Sequence, residues 1–275
     1  MTRPYSHFRR VGGLIRHARV YPGPEACRRP IVIVPGLGCA AWMYRKLARR
    51  LALEHEVWVY DHPGMGFSQG RLRDPARIEQ LTDHLADWLR ERGFVGIPLL
   101  GHSLGGEVVI DLAARCPEVP GSLILCAPTG IPENPSVTAQ VARFLLNLPR
   151  ERLALYPYAV AAYTRTGPLR AYLLSQDQGN HQTGPLISQV QCPALVIDGS
   201  ADRVIRSWTL EVMCDRLPHA RACTIEGGTH ALMDSRPAQV ARETLQFLRE
   251  VETGVFSADR TGNSISAPPL CGDDC

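Results

Sequence analysis

A serine at position 103 is placed where its hydroxyl could act as a nucleophile. It lies in Gly101-His102-Ser103-Leu104-Gly105-Gly106, a G-x-S-x-G pattern that starts where the apolar run 97–100 ends and a helical periodicity begins. On such a strand-to-helix turn a serine is held in a sharp, strained bend with its hydroxyl raised above a sheet. Small flanking residues keep neighbouring backbone clear of it. The helix start also brings unpaired amide donors close to any negative charge that develops there. A serine hydroxyl is a weak nucleophile until an imidazole takes its proton, and that imidazole needs a carboxylate to fix its tautomer. The chain must therefore bring a histidine and an acid to Ser103.

The elements that would do so are legible as an alternation. Short apolar runs at 31–34, 57–60, 97–100, 122–126, 194–197 and 222–225 are separated by longer amphipathic stretches, the pattern of βαβ units on a mostly parallel sheet. Several runs are apolar throughout, as expected of strands covered on both faces. Residues 6–11 and 14–20 flank Gly12-Gly13 and predict an antiparallel hairpin, which brings the expected number of strands to eight. Apolar residues three and four apart predict helices over 42–54, 75–92, 104–116 and 237–251. From 129 to 191 no strand signal occurs, only helical patches at 137–147, 151–164 and 169–175. About 60 residues between two strands is too long for a connection, and the segment predicts a small helical cap inserted after the sixth strand.

With the elbow so placed, the chain resembles the α/β-hydrolase superfamily from about residue 5 to 252. The resemblance implies the order nucleophile, acid, histidine. Val196-Ile197-Asp198-Gly199-Ser200-Ala201-Asp202 supplies the acid after the seventh strand, and Gly227-Gly228-Thr229-His230 the base after the eighth. Asp202 and His230 match the family's positions. Asp198 competes with Asp202 but ends the strand, where a carboxylate is more often tied into the turn. His102 should project to the opposite side of the elbow, His219 ends a surface helix, and His62 and His181 suit substrate contact better than base catalysis. Two backbone donors are needed for the oxyanion. One is Leu104 N–H; by resemblance the other is Leu37 N–H, in Pro35-Gly36-Leu37-Gly38-Cys39, where Pro35 stands in place of the family's usual histidine. Asp61-His62-Pro63-Gly64-Met65-Gly66-Phe67-Ser68 looks like the family's D-x-P-G-x-G-x-S loop and reads as a structural turn beside the site.

The resemblance and the serine together imply acyl chemistry: a carboxylesterase-like serine hydrolase acting on a small or medium apolar acyl substrate, with thioesterase, lactonase, amidase and C–C bond hydrolase as rivals. A ligand-binding receptor on the same scaffold is the alternative from another class. Phe144, Tyr156, Tyr158, Tyr163 and Tyr172 in the cap are candidate substrate contacts. No cofactor or metal is expected, since neither a G-x-x-x-x-G-K nor a first-unit G-x-G-x-x-G occurs. The chain has 45% hydrophobic and 21% charged residues and a formal charge of +3, which argues for a globular protein and against nucleic-acid binding. Nine scattered cysteines, no signal-like N-terminus and no apolar run of about 18 residues suggest a cytoplasmic protein without a membrane span. Residues 253–275 are rich in Ser, Pro, Gly and Asp and predict a flexible tail. Oligomeric state is not legible.

Overall fold

The computed structural model describes residues 3–25, 28–71, 74–130, 137–181, 183–205 and 208–257. Eight strands form one sheet: β1 (Tyr5–Val11), β2 (Leu14–Tyr21), β3 (Arg28–Val34), β4 (His55–Asp61), β5 (Ile97–His102), β6 (Pro120–Cys126), β7 (Ala194–Gly199) and β8 (Ala220–Ile225). Their order is β1-β2-β4-β3-β5-β6-β7-β8. The hairpin β1–β2 and the β2–β4 pair are antiparallel. All other neighbours run parallel, and β5 lies in the middle, between β3 and β6. Every residue of β5 and of β7 is buried, which is why their sequences are apolar rather than alternating.

Helices cover both faces. One face packs α2 (Ile78–Glu91), α3 (Leu104–Arg115) and α8 (Trp208–Arg216) on the sheet; the other packs α1 (Arg45–Leu51), α9 (Leu232–Ser235) and α10 (Pro237–Thr253). Two expected helices are shorter than their periodicity implies. The stretch 42–54 is a 3₁₀ turn (Ala41–Tyr44) followed by α1, because Ala41 N–H is held at 2.7 Å by the Asp61 carboxylate. The stretch 75–92 becomes helical only at Ile78, since the Gln80 side chain accepts from Ala76 and Arg77 N–H and caps the helix there.

Between β6 and β7 the chain forms α4 (Val137–Asn147), two 3₁₀ turns, α5 (Tyr156–Thr166), α6 (Pro168–Asn180) and α7 (Gly184–Ile187). Hydrogen bonds sew this helical layer to the loop after β4 and to the 3₁₀ turn after β3. The buried Arg170 guanidinium donates to the carbonyls of Gly64 and Arg71, Arg165 Nε donates to Gly66 O at 2.6 Å, and Trp42 Nε1 donates to Tyr158 O at 3.1 Å. The ordered chain runs past the expected start of the tail: Phe256 packs edge-on to Phe247 with ring centroids 5.1 Å apart. Residues 258–275 lie outside the described residues. No helix among the described residues is long and apolar enough to cross a membrane.

Candidate active site

Ser103 occupies the single residue between β5 and α3, with φ 52° and ψ −122°. An L side chain adopts that conformation only under strain, on the order of 1–3 kcal/mol, so the surroundings must impose it. They do so by backbone hydrogen bonds to the end of β6: Ser103 N–H donates to Cys126 O at 3.1 Å, and Thr129 N–H donates to Ser103 O at 3.4 Å. Gly105 lets α3 descend onto β3, since a Cβ there would lie 2.1 Å from the Val34 carbonyl oxygen.

His230 arrives from the loop after β8 with Nε2 3.2 Å from Ser103 Oγ and Nδ1 2.9 Å from Asp202 Oδ2. The other Asp202 oxygen accepts from Val204 and Ile205 N–H at 2.6 and 3.1 Å, so the carboxylate is fixed by its own loop and aims one oxygen at the imidazole. Nδ1–H therefore donates to Asp202, and Nε2 is left to accept from the serine. Burial works to lower the His230 pKa, but the Asp202 carboxylate and its hydrogen bond outweigh it and the value is raised. For Asp202 burial works upward and is outweighed by His230 and the two amides, so the acid stays ionised.

His102 was expected to project away from the site, but its ring lies 5.2 Å from the His230 ring, in the wall of the same cavity, and braces the site. Tyr44 O–H donates to its Nδ1 at 2.8 Å, its Nε2–H donates to His230 O at 3.0 Å, and Gly36 N–H donates to the Tyr44 oxygen at 3.0 Å. Burial pushes the His102 pKa down to about 3, so the ring is neutral and this tautomer persists. The same relay fixes the loop that carries Leu37. Gly36 presses on Ser103, and a Cβ there would lie 3.1 Å from Ser103 Cβ. Leu104 opens α3, so its N–H has no intrahelical partner.

Ser103 and His230 open on a cavity of about 400 Å³ beneath the helical layer. Its walls are mainly apolar, with Leu37 and Met43 from the core side and Leu155, Tyr156 and Tyr163 from the layer above.

Residues 31–243 match the α/β hydrolase family. The chain belongs to that family. It is 27% identical to a Pseudomonas savastanoi protein named "Putative carbamate hydrolase RutD" over 240 residues, 79% of this chain and 93% of that one. Among solved structures it is similar to the enol-lactonase of Burkholderia xenovorans, with a TM-score of 0.75, 23% identity and coverage of 89% of this chain and all of the other. A thermophilic esterase from Thermogutta terrifontis superposes with a TM-score of 0.73 at 20% identity, covering 90% of this chain and 99% of that one.

Within this α/β hydrolase the remaining candidates divide. Tyr156, Tyr163 and Tyr172 line the cavity. Tyr158 does not: its ring sits under the Arg45 guanidinium, 4.1 Å from the centroid, on the outer side of α5. The side chain of Phe144 lies outside the described residues. His62 is not a substrate contact. It is fully buried beneath the Leu37 loop, where Nε2–H donates to Pro35 O at 3.0 Å and burial pushes its pKa down to about 4. It thus holds the loop in which Pro35 replaces the family's histidine. Asp198 is buried beside Thr224, with its pKa raised by burial, and does not touch His230.

Sequence reasoning missed two cap residues that clasp the loops carrying Asp202 and His230. Glu151 Oε2 accepts from Thr229 Oγ1 at 2.7 Å; its Oε1 accepts from Ala231 N–H at 3.1 Å and Asn147 Nδ2 at 2.5 Å. Asn147 Oδ1 in turn accepts from Arg203 N–H, next to Asp202, at 3.3 Å. The bonds bracket His230 from both neighbours, and no local motif marks them.

Proposed function

We propose that this α/β hydrolase is a serine hydrolase that cleaves the carboxylic ester of a small or medium apolar substrate through an acyl-serine intermediate. The observation that carries the reading is the Ser103–His230–Asp202 relay, with contacts of 3.2 and 2.9 Å, at the wall of an apolar cavity. His230 Nε2 takes the Ser103 proton as Oγ attacks the carbonyl carbon, and Asp202 supports the imidazolium that forms. Leu37 and Leu104 N–H hold the oxyanion. Collapse of the tetrahedral intermediate expels the alcohol, which receives its proton from His230. A water deprotonated by His230 then attacks the acyl-serine, and a second collapse releases the acid and restores Ser103.

The division of labour follows from the same geometry. Residues 1–128 and 192–252 act as the catalytic core, and the cap, 129–191, selects the substrate, because the core groups meet only the reacting carbonyl. Tyr156, Tyr163 and Tyr172 are its contacts to the chain beyond. The RutD relative favours a carbamate as the second reading, since the same relay serves any acyl carbon with a leaving group.

Fluorophosphonate labelling followed by a substrate panel tests this. The probe should modify Ser103 in the wild type and leave Ser103→Ala unmarked. p-Nitrophenyl esters of graded chain length should be turned over faster than matched acyl-CoA thioesters and carbamates. Failure to label Ser103 overturns the nucleophile, and a preference for carbamates moves the substrate to the second reading.

A further inference from the structure

Most polar groups in the wall of the cavity already have partners. Both Glu151 oxygens and both ends of the Asn147 amide are occupied, Tyr156 O–H donates to Leu148 O, and Ser175 O–H is turned back onto its own helix. Gln178 on α6 and Thr129 after β6 differ. Both line the cavity, and they are only 5% and 6% exposed. Gln178 Nε2 donates one hydrogen to Glu107 Oε1 and the other to Thr129 Oγ1, both at 2.5 Å. A carboxylate can only accept, so this contact fixes which end of the amide is nitrogen. Gln178 Oε1 is then left as an acceptor with no partner among the described residues, and it is not sealed from the cavity. Thr129 Oγ1 receives a hydrogen bond and keeps its own proton to donate. A buried acceptor and a buried donor with capacity to spare therefore stand side by side in the cavity wall.

Their position relates them to the reaction. Thr129 N–H donates to Ser103 O, so the pair adjoins the nucleophile. Glu107 is fully buried behind Gln178, with His181 Nδ1 3.8 Å from its second oxygen. The amide is polarised by the carboxylate it donates to, which strengthens Oε1 as an acceptor, and a charged group would lose its hydration in a wall this buried.

We propose that Gln178 Oε1 and Thr129 O–H form a subsite for a neutral hydrogen-bonding group, a hydroxyl or an amide, carried on the substrate chain close to the scissile carbonyl. The proposal rests on the serine-hydrolase reading and narrows it: the natural substrate is an apolar acyl compound with one uncharged polar substituent near the reacting carbon. A group that both donates and accepts satisfies the pair, whereas a methylene leaves two buried polar atoms unpaired.

The test compares p-nitrophenyl butyrate, 3-hydroxybutyrate and 3-methoxybutyrate, which probe the acyl side, and butyl against 3-hydroxybutyl butyrate, which probe the alcohol side. In the wild type the hydroxylated member of at least one series should exceed its unsubstituted partner in kcat/KM by about 3- to 10-fold, and the methoxy ester should gain less. Thr129→Val should bring the ratio to about one and Thr129→Ser should keep it, the ratio being taken within one protein so that any change in basal rate cancels. Gln178→Met should abolish the preference likewise; if it fails to fold, the Thr129 pair decides. Equal turnover of hydroxylated and plain esters on both sides, with labelling intact, overturns the subsite alone. Absence of Ser103 labelling overturns the hydrolase reading, and the subsite with it.

Discussion

Replacing Glu151 separates the geometry of the catalytic loops from their electrostatics. In Glu151→Ala the Thr229 hydroxyl, Ala231 N–H and Asn147 Nδ2 lose their acceptor. A buried donor left unpaired costs roughly 1–3 kcal/mol, and water in the cavity that Glu151 lines can serve some of the three, so the variant should lose about 2–5 kcal/mol of stability. For a chain of this size that is a fall in Tm of roughly 5–15 °C. Both residues flanking His230 are released at once, and a misplacement on the order of 1 Å costs about 10²-fold, so kcat should fall roughly 10- to 100-fold. Glu151→Gln behaves differently. Its oxygen can keep Ala231 and Asn147, and its nitrogen can donate to Thr229 Oγ1, which turns from donor to acceptor. Geometry is retained and one negative charge is lost. Burial lowers the His230 pKa, Asp202 raises it, and the Glu151 charge adds to the rise. Because His230 works as a base only when neutral, wild-type activity should climb with pH through a limb above the ordinary imidazole value of about 6.5. Glu151→Gln should move that limb to lower pH while its plateau kcat stays within about 3-fold. Thermal melts and kcat–pH profiles of the three proteins give the answer. A Glu151→Ala protein with wild-type Tm, plateau and limb would refute the clasp, and a limb moved upward by Glu151→Gln would refute the electrostatic half of the reasoning.

Ser103→Ala and His230→Ala should each lower kcat on the order of 10³-fold or more, and the double variant should be scarcely worse, because the pair acts as one unit; additive losses in steady-state kinetics would contradict the relay. Asp202→Asn should cost on the order of 10³- to 10⁴-fold in kcat, while Asp198→Asn changes only the denaturation midpoint; the reverse ranking would move the acid to the end of β7. Tyr44→Phe breaks the Gly36–Tyr44–His102 relay and should lower kcat by about 10-fold without moving the pH limb, since His102 does not titrate in the working range. Truncation after Ser257 should leave kcat/KM and Tm unchanged, whereas truncation after Thr253 removes the Phe256–Phe247 contact and should lower Tm.

Much of the fold was legible because it is written in local periodicity. Strands buried on both faces are apolar runs, and β3 to β8 were each found from such runs to within a few residues of their ends. Where an element is short and weakly patterned the signal fades. The surface helix expected to end at His219 could not be given bounds and ends at Arg216: its buried positions, Thr209, Leu210 and Met213, are too few to make a stripe. Helix starts were misplaced where a side chain caps the chain, Asp61 from the end of β4 in one case and Gln80 from the helix's own first turn in the other. The cap aromatics could be named but not oriented, because a helix with apolar residues around much of its surface does not say which of them meets the core, and Tyr158 faces away while Tyr163 faces in.

That Ser103, Asp202 and His230 come together could be expected from the chain alone, because each follows a strand whose apolar run can be read and whose place in the order of strands sets its end of the sheet. The elbow adds a local motif, which is a statement about neighbouring residues and therefore survives without coordinates. What only the tertiary structure decided is everything that depends on two loops meeting. His62 proved to be a support for the Leu37 loop, Glu151 and Asn147 a clasp between the cap and the loops of Asp202 and His230, and Gln178 and Thr129 a buried pair with capacity left over. These residues are ordinary polar side chains in sequence. Their roles come from burial and from which partners already hold them, and both are set by contacts such as Glu151 to Ala231, 80 positions apart, and Gln178 to Glu107, 71 apart, that no local pattern records.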